Sequence, residues 1–372
     1  MSTETKQQQQ SARDTAKSPW LPEFTPASDI VRYAVAQTAG SAAGEEQEGY
    51  YGVPMLKQPK WGWEIALYFF CEGVSSGSFL MATLAELTGK GRYRRLSHAG
   101  YYTSFMALLP CPPLLIADLG RPERFHHMLR VFKPTSPMNL GAWALAGYSL
   151  PLTLIAGRQL TWDGPLSFEP LKSASKLIPA RLLGLLGIPF ALTMISYPGV
   201  LLSTTSTPVW SKSRFVGALI ACSSVSTGAA AVSLALSRNG DRPAQERLEK
   251  IENLARLCEG AALAAYLTTA GDAARPLTEG HYKWHFWLGA VGAGLILPTL
   301  VGARGPSKEQ KKSRASTVIK SALTLAGGLA LKWAIVYAGK RSAVDVEATR
   351  NATRPSESAP GWVASKQTAS QG

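Results

Sequence analysis

The sequence predicts an all-α polytopic membrane protein, eight transmembrane helices in a bundle, and three observations carry that reading. Eight apolar runs each approach the roughly 20 residues that cross a hydrocarbon core. Charge is gathered on the links: 39 Lys and Arg against 25 Asp and Glu give a net charge of +14, yet the mean hydropathy of +0.00 conceals a sharp division into apolar runs and polar connections. Because lipid offers no partner to a backbone N–H or C=O, apolar runs of this length must close their hydrogen bonds as helices. Cations lying between spans point to topology and anionic lipid as their reason, and away from nucleic acid.

The runs are Trp61 to Leu87, Leu96 to Leu119, Leu140 to Ile155, Ala180 to Leu202, Phe215 to Leu236, Leu248 to Ala270, Trp284 to Val301 and Val318 to Tyr337. The third is short and the sixth is polar at its start. Residues 1–58, rich in Gln, Ser, Ala, Glu and Pro, read as a disordered periplasmic tail, 59–339 as the membrane domain and 340–372 as a second disordered tail. The first 55 residues hold no apolar stretch of the signal-peptide kind, so targeting is expected from the first span.

Within the spans, small residues are spaced for close helix contact: Gly73 and Gly77, Gly184 and Gly187, Gly289, Gly292 and Gly294, Gly327 and Gly328. Cys71, Cys111, Cys222 and Cys258 fall singly in separate runs, without the paired spacing of a zinc or iron-sulfur site. Asn351-Ala-Thr matches a glycosylation sequon by chance composition.

Links 1–2, 3–4, 5–6 and 7–8 hold about twice as many Lys and Arg residues as links 2–3, 4–5 and 6–7. By the positive-inside rule the richer face is cytoplasmic. Both termini and the second link then face the periplasm of a bacterial cytoplasmic (inner) membrane.

That second link, Ala117 to Trp143, is the most unusual stretch. Asp118, Arg121, Glu123, Arg124, His126, His127 and Arg130 stand at the rim of hydrocarbon, where charge is costly unless paired or wetted. Gly120 and Pro122 break the incoming helix, while Pro134, Pro137 and Asn139 stop one segment and start the next, so the link is expected to be shaped rather than slack.

Acids also lie inside the spans. Glu64, Tyr68 and Glu72 share one face of the first helix, with Glu72 about 16 Å along it at 1.5 Å per residue. In the sixth, Glu252 and Arg256 have the spacing of a helical ion pair, while Glu259 near mid-membrane is not explained by pairing. Oxidising a quinol frees two protons with two electrons, which calls for hydrogen-bonding proton acceptors beside an apolar slot for the ring. Tyr68, Glu64, Asp118, His126 and Tyr197 fall near the predicted periplasmic ends of their spans, where they would line one such pocket. A proton route from Glu72 through Glu259 toward Glu86 or His98 is a further expectation. No two of His98, His126, His127, His281 and His285 face each other at mid-depth, so no haem is expected.

Three motifs carry a resemblance to the NrfD family, the polysulfide-reductase-type membrane subunits of quinone-linked oxidoreductases. They are Asp118-Leu-Gly-Arg-Pro-Glu-Arg-Phe125, the first span from Trp61 to Leu80, and the Ser196 to Trp210 stretch that closes span four. The resemblance implies a non-autonomous subunit binding menaquinone or ubiquinone, with neither haem nor iron-sulfur cluster of its own. Its implied partners are an iron-sulfur subunit on the periplasmic face, a catalytic subunit beyond that, and membrane lipid. The candidate catalytic groups are Glu64, Glu72, Asp118 and Glu259, and the candidate cofactor-binding groups Tyr68, Arg121, His126 and Tyr197. A subunit of an alternative complex III-like assembly, a secondary transporter and a purely structural anchor are the competing readings.

Overall fold

Residues 56–88, 93–163, 169–177, 179–237, 242–303 and 314–345 are described in a computed structural model, and every regular element among them is helical. The expectations for residues 1–55 and 346–372 lie outside the described residues. Eight helical stretches occupy the eight apolar runs. The first is α1 (Trp63–Thr88); the second is α2 (Arg94–Leu108) continued by α3 (Cys111–Asp118). A 3-10 segment, Pro122–Leu129, leads into α4 (Pro137–Asp163), and the short α5 (Glu169–Ser175) into α6 (Ala180–Ser203). After α7 (Pro208–Ser211) come α8 (Val216–Leu236) and α9 (Arg242–Ala270). Next are a 3-10 turn at Gly271–Ala274, α10 (Arg275–Thr278), a π-helix at His285–Ile296 running on as α11 (Leu297–Ala303), and α12 (Arg314–Ser342).

By length and composition, six of these stretches are suited to crossing a membrane: α1, α4, α6, α8, His285–Gly302 and α12. A seventh is the helix Arg94–Asp118 taken with Pro122–Leu129, bent by 111° between them. The eight-span count therefore rests on α9. At 29 residues it is long enough to cross, but Arg242, Glu246, Arg247, Glu249, Lys250 and Glu252 crowd its first three turns and hold it below the apolar measure. The run from Leu140, expected to be short, belongs to a helix of 27 residues. It gains about one turn before Leu140 and about two after Ile155, and Pro151 is accommodated within it, as prolines commonly are in membrane helices.

The bundle is centred on α1 and α8, which pack without large side chains between them. A Cβ at Gly228 would lie 2.6 Å from the Gly77 backbone, and one at Gly73 2.6 Å from Ser224 Oγ. Ser78 Oγ donates to the Gly228 carbonyl at 3.2 Å across the same crossing. The π-helix makes the equivalent approach to α12, where a Cβ on Gly294 would sit 3.1 Å from Gly327 Cα. In lipid, association lacks the hydrophobic drive of water, so close backbone contact and interhelical hydrogen bonds supply the attraction. Gly187 instead receives the Phe79 ring, and Gly184 faces Thr83 and the Tyr101 hydroxyl.

The second link is shaped as expected. Leu119 turns extended (φ −72, ψ 132) after the last turn of α3, and Pro122 opens the 3-10 segment. Asn139, at the start of α4, clamps the return: its Oδ1 accepts the Lys133 N–H at 2.7 Å, and its Nδ2 donates to the Met128 and Val131 carbonyls at 2.7 and 3.0 Å.

A buried acid and lysine array in the bundle

Glu72 reaches the centre of the bundle because α1 carries an acid on its innermost face. The hydroxyl of Tyr68, one turn above, lies close enough to the Glu72 carboxylate to interact with it, and among the described residues no other group satisfies these buried atoms. Tyr68 and Glu72 are electrostatic neighbours of each other and of Tyr197 on α6. Beside them Ser75 Oγ, Ser104 Oγ and the Tyr148 hydroxyl close on one another at 2.8–3.3 Å, so the polar groups on that side are already satisfied. Unpaired polar atoms in a dry interior are costly and mark a place where a ligand or water belongs.

Opposite Glu72 stands Lys332 of α12, 1% exposed, its ammonium donating to Ser223 Oγ at 2.6 Å. Glu72 and Glu259 both act electrostatically on it, and Ser223 also adjoins Glu259. One cation thus lies between two carboxylates contributed by α1 and α9. The sequence reading missed Lys332, although a lone lysine deep in an apolar run is itself the signal.

Beyond Glu259 the polar groups continue along α9 and α12. Arg256 pairs with Glu252, the expected helical pair, and also donates to Asn253 Oδ1 at 3.0 Å and Thr324 Oγ1 at 3.1 Å. Lys320 Nζ then reaches Asn253 Oδ1 at 3.0 Å and Glu249 Oε1 at 3.3 Å. A polar line that the sequence did not suggest is visible here. The array leaves Glu259 toward Arg256, Glu252 and Lys320, whereas Glu86 accepts a 2.6 Å bond from Ser97 and lies with His98 on α1 and α2.

At the end of the bundle where α1 begins and α3 ends, Asp118 Oδ1 accepts the Gly62 N–H at 3.5 Å, with Glu64 and Lys340 as electrostatic neighbours. Lys340 Nζ donates to the Trp61 carbonyl at 2.7 Å, and Trp61 stacks on Trp210 with centroids 5.3 Å apart. Glu64 also neighbours Tyr337, which lies in a row with Trp333 and Tyr282 at 5.3 and 5.4 Å. These aromatics were not singled out from sequence, because each lies at the end of a run where a membrane-interface role is the ordinary explanation.

The candidate residues thus fall into three groups. Tyr68, Glu72 and Tyr197 come together in the interior, joined to Glu259 through Lys332. Glu64 and Asp118 meet at the rim. Arg121, just before the 3-10 segment, and His126 within it are exposed, and the His126 ring adjoins Phe125 and His127.

Comparison with known proteins agrees with this architecture. Over 302 residues the protein is 28% identical to the C chain of polysulfide reductase from Wolinella succinogenes, covering 75% of its own length and 94% of that relative. It is 26% identical over 310 residues to protein NrfD of Escherichia coli (strain K12), covering 75% and 95%. A shorter match of 108 residues, 30% identical, relates it to the C subunit of selenate reductase from Mesobacillus selenatarsenatis, covering 29% of its own length and 25% of that relative. The family described as polysulphide reductase, NrfD matches residues 53–343. With its helical spans and that match over most of its length, the chain is a multi-pass membrane protein and belongs to the NrfD family.

Proposed function

We propose that this chain is the quinone-binding membrane subunit of a multi-subunit oxidoreductase in the bacterial cytoplasmic membrane. It passes electrons between menaquinone or ubiquinone and an iron-sulfur subunit on the periplasmic face, with a catalytic subunit beyond. The names of two relatives, each one component of a polysulfide or selenate reductase, support a place in such a complex. Both termini are assigned to the periplasm and the span count to eight, with α9 included. Haem and iron-sulfur centres are assigned to the partner proteins.

The observation that carries the reading is the buried pair of Tyr68 Oη and the Glu72 carboxylate beside Tyr197, which among the described residues finds no partner beyond itself. A quinol, when bound, supplies two electrons and two protons, and its hydroxyls need hydrogen-bonding partners. These residues fit that need: Tyr68 and Tyr197 orient by hydrogen bonding, and Glu72 takes a proton at a carboxylate oxygen. Glu64 and Asp118 form the rim, and Arg121 and His126 its mouth toward the partner. Lys332 balances Glu72 and Glu259 so that a proton gained at one carboxylate alters the charge felt by the other.

The test is Glu72→Gln in the intact complex. Quinol turnover is expected to fall at least tenfold, with subunit stoichiometry unchanged; normal turnover, with a bound quinone analogue undisturbed, overturns the assignment. The same line of residues supports a proton path through Glu259, and unchanged proton translocation by Glu259→Gln in vesicles removes it.

A further inference from the structure

A cavity of about 310 Å³ opens at the end of the bundle opposite Asp118, between the ends of α1, α2, α4 and α6. Its wall is mixed: Arg94, Arg158 and Arg181 are set against the single acid Glu86, with His98 and Gln159 alongside and alanine and aromatic side chains between them. Glu86 is already engaged by Ser97 at 2.6 Å. Gln159 is only 7% exposed, and its Oε1 and the Arg158 Nε are buried with no hydrogen-bond partner among the described residues. The site therefore lacks one acceptor for a guanidinium and one donor for an amide oxygen.

We infer that this cavity binds the headgroup of an anionic phospholipid whose phosphodiester meets the arginines and whose hydroxyl meets Gln159. Its place in the membrane favours a lipid over a soluble phosphate. The link between α1 and α2 is among those that make this the Lys- and Arg-rich face, where the leaflet is expected to be cytoplasmic and anionic. Trp162 stands at the cavity's edge, its indole N–H held by Ser175 Oγ at 2.9 Å, in the manner of a side chain at the headgroup level. From Arg181, α6 continues into the exposed Leu182, Leu185 and Leu186, an apolar surface along which acyl chains can lie. Three cations against one acid select a net negative headgroup over a zwitterionic one.

The test is native mass spectrometry of the full-length protein, stripped of lipid in detergent and titrated separately with phosphatidylglycerol, phosphatidylethanolamine, phosphatidylcholine and inorganic phosphate. One phosphatidylglycerol is expected to be retained about tenfold more tightly than either zwitterionic lipid. Arg181→Gln, at an exposed position, is expected to weaken it about fivefold, the effect of one cation near an anionic surface. Arg158→Gln is expected to weaken it further. Equal retention of all three lipids by the wild-type protein overturns the inference without recourse to any variant. So does displacement of the lipid by inorganic phosphate at matched concentration, or full retention by Arg181→Gln.

Discussion

Lys332 Nζ donates to Ser223 Oγ at 2.6 Å, binding α12 to α8 where the ammonium feels the charge of both Glu72 and Glu259. A lysine so placed is both a structural tie and an electrostatic bridge. Removing one partner of a buried charged group leaves the others uncompensated, which typically costs about 3–5 kcal/mol.

Lys332→Met is therefore expected to lower the unfolding temperature in detergent, with the loss largely recovered in the double variant Lys332→Met with Glu259→Gln. Thermal denaturation of the purified protein checks both. Equal stability of wild type and single variant would show that the ammonium is not the counter-ion of these acids.

The α1–α8 crossing offers a second test, because Gly77 and Gly228 leave no room for a side chain. Gly228→Val forces the helices apart, with an expected cost of about 1–3 kcal/mol, the usual range for overpacking. Gly157, where an added Cβ would meet nothing within 4 Å, is the control: Gly157→Ala should leave stability unchanged or slightly raised.

Asn139 holds the second link by three hydrogen bonds to Lys133, Met128 and Val131. At about 1 kcal/mol each, their loss in Asn139→Ala is expected to loosen the segment from Arg130 to Lys133. Limited trypsin digestion of the membrane-embedded protein reads this as faster cleavage after Arg130, the bond after Lys133 being blocked by Pro134, with the spans still intact.

Orientation is open to direct labelling. Ser136→Cys, on the second link, should react in whole spheroplasts with a membrane-impermeant maleimide, while Lys250→Cys near the start of α9 should react only after lysis. The reverse pattern would invert the assigned topology and move the proposed iron-sulfur partner to the other face.

The positions of the helices were largely legible, since a run of about 20 apolar residues admits few structures in lipid. The break at Gly120 and Pro122 and the Glu252–Arg256 pair were legible too, each depending on residues close in sequence. The site was legible only in part. Glu72 and Tyr68 stood out as polar groups on one helical face, but Lys332 lies far along the sequence from both, and nothing local announces its partners. The polar line beyond Glu259 was not legible for the same reason: Lys320 and Thr324 on α12, distant in sequence, adjoin Glu252 and Arg256.

By itself the sequence determined that the polypeptide crosses lipid repeatedly, where its helices break and which of its faces is richer in cations, because hydropathy, proline and glycine act through short stretches of backbone. Only the tertiary structure decided that acids on α1 and α9 share one lysine from α12, and that four helix ends leave an arginine-lined hollow. Coulombic and hydrogen-bonding partners are chosen by distance across the bundle, and that distance is set by which small residues let which helices meet.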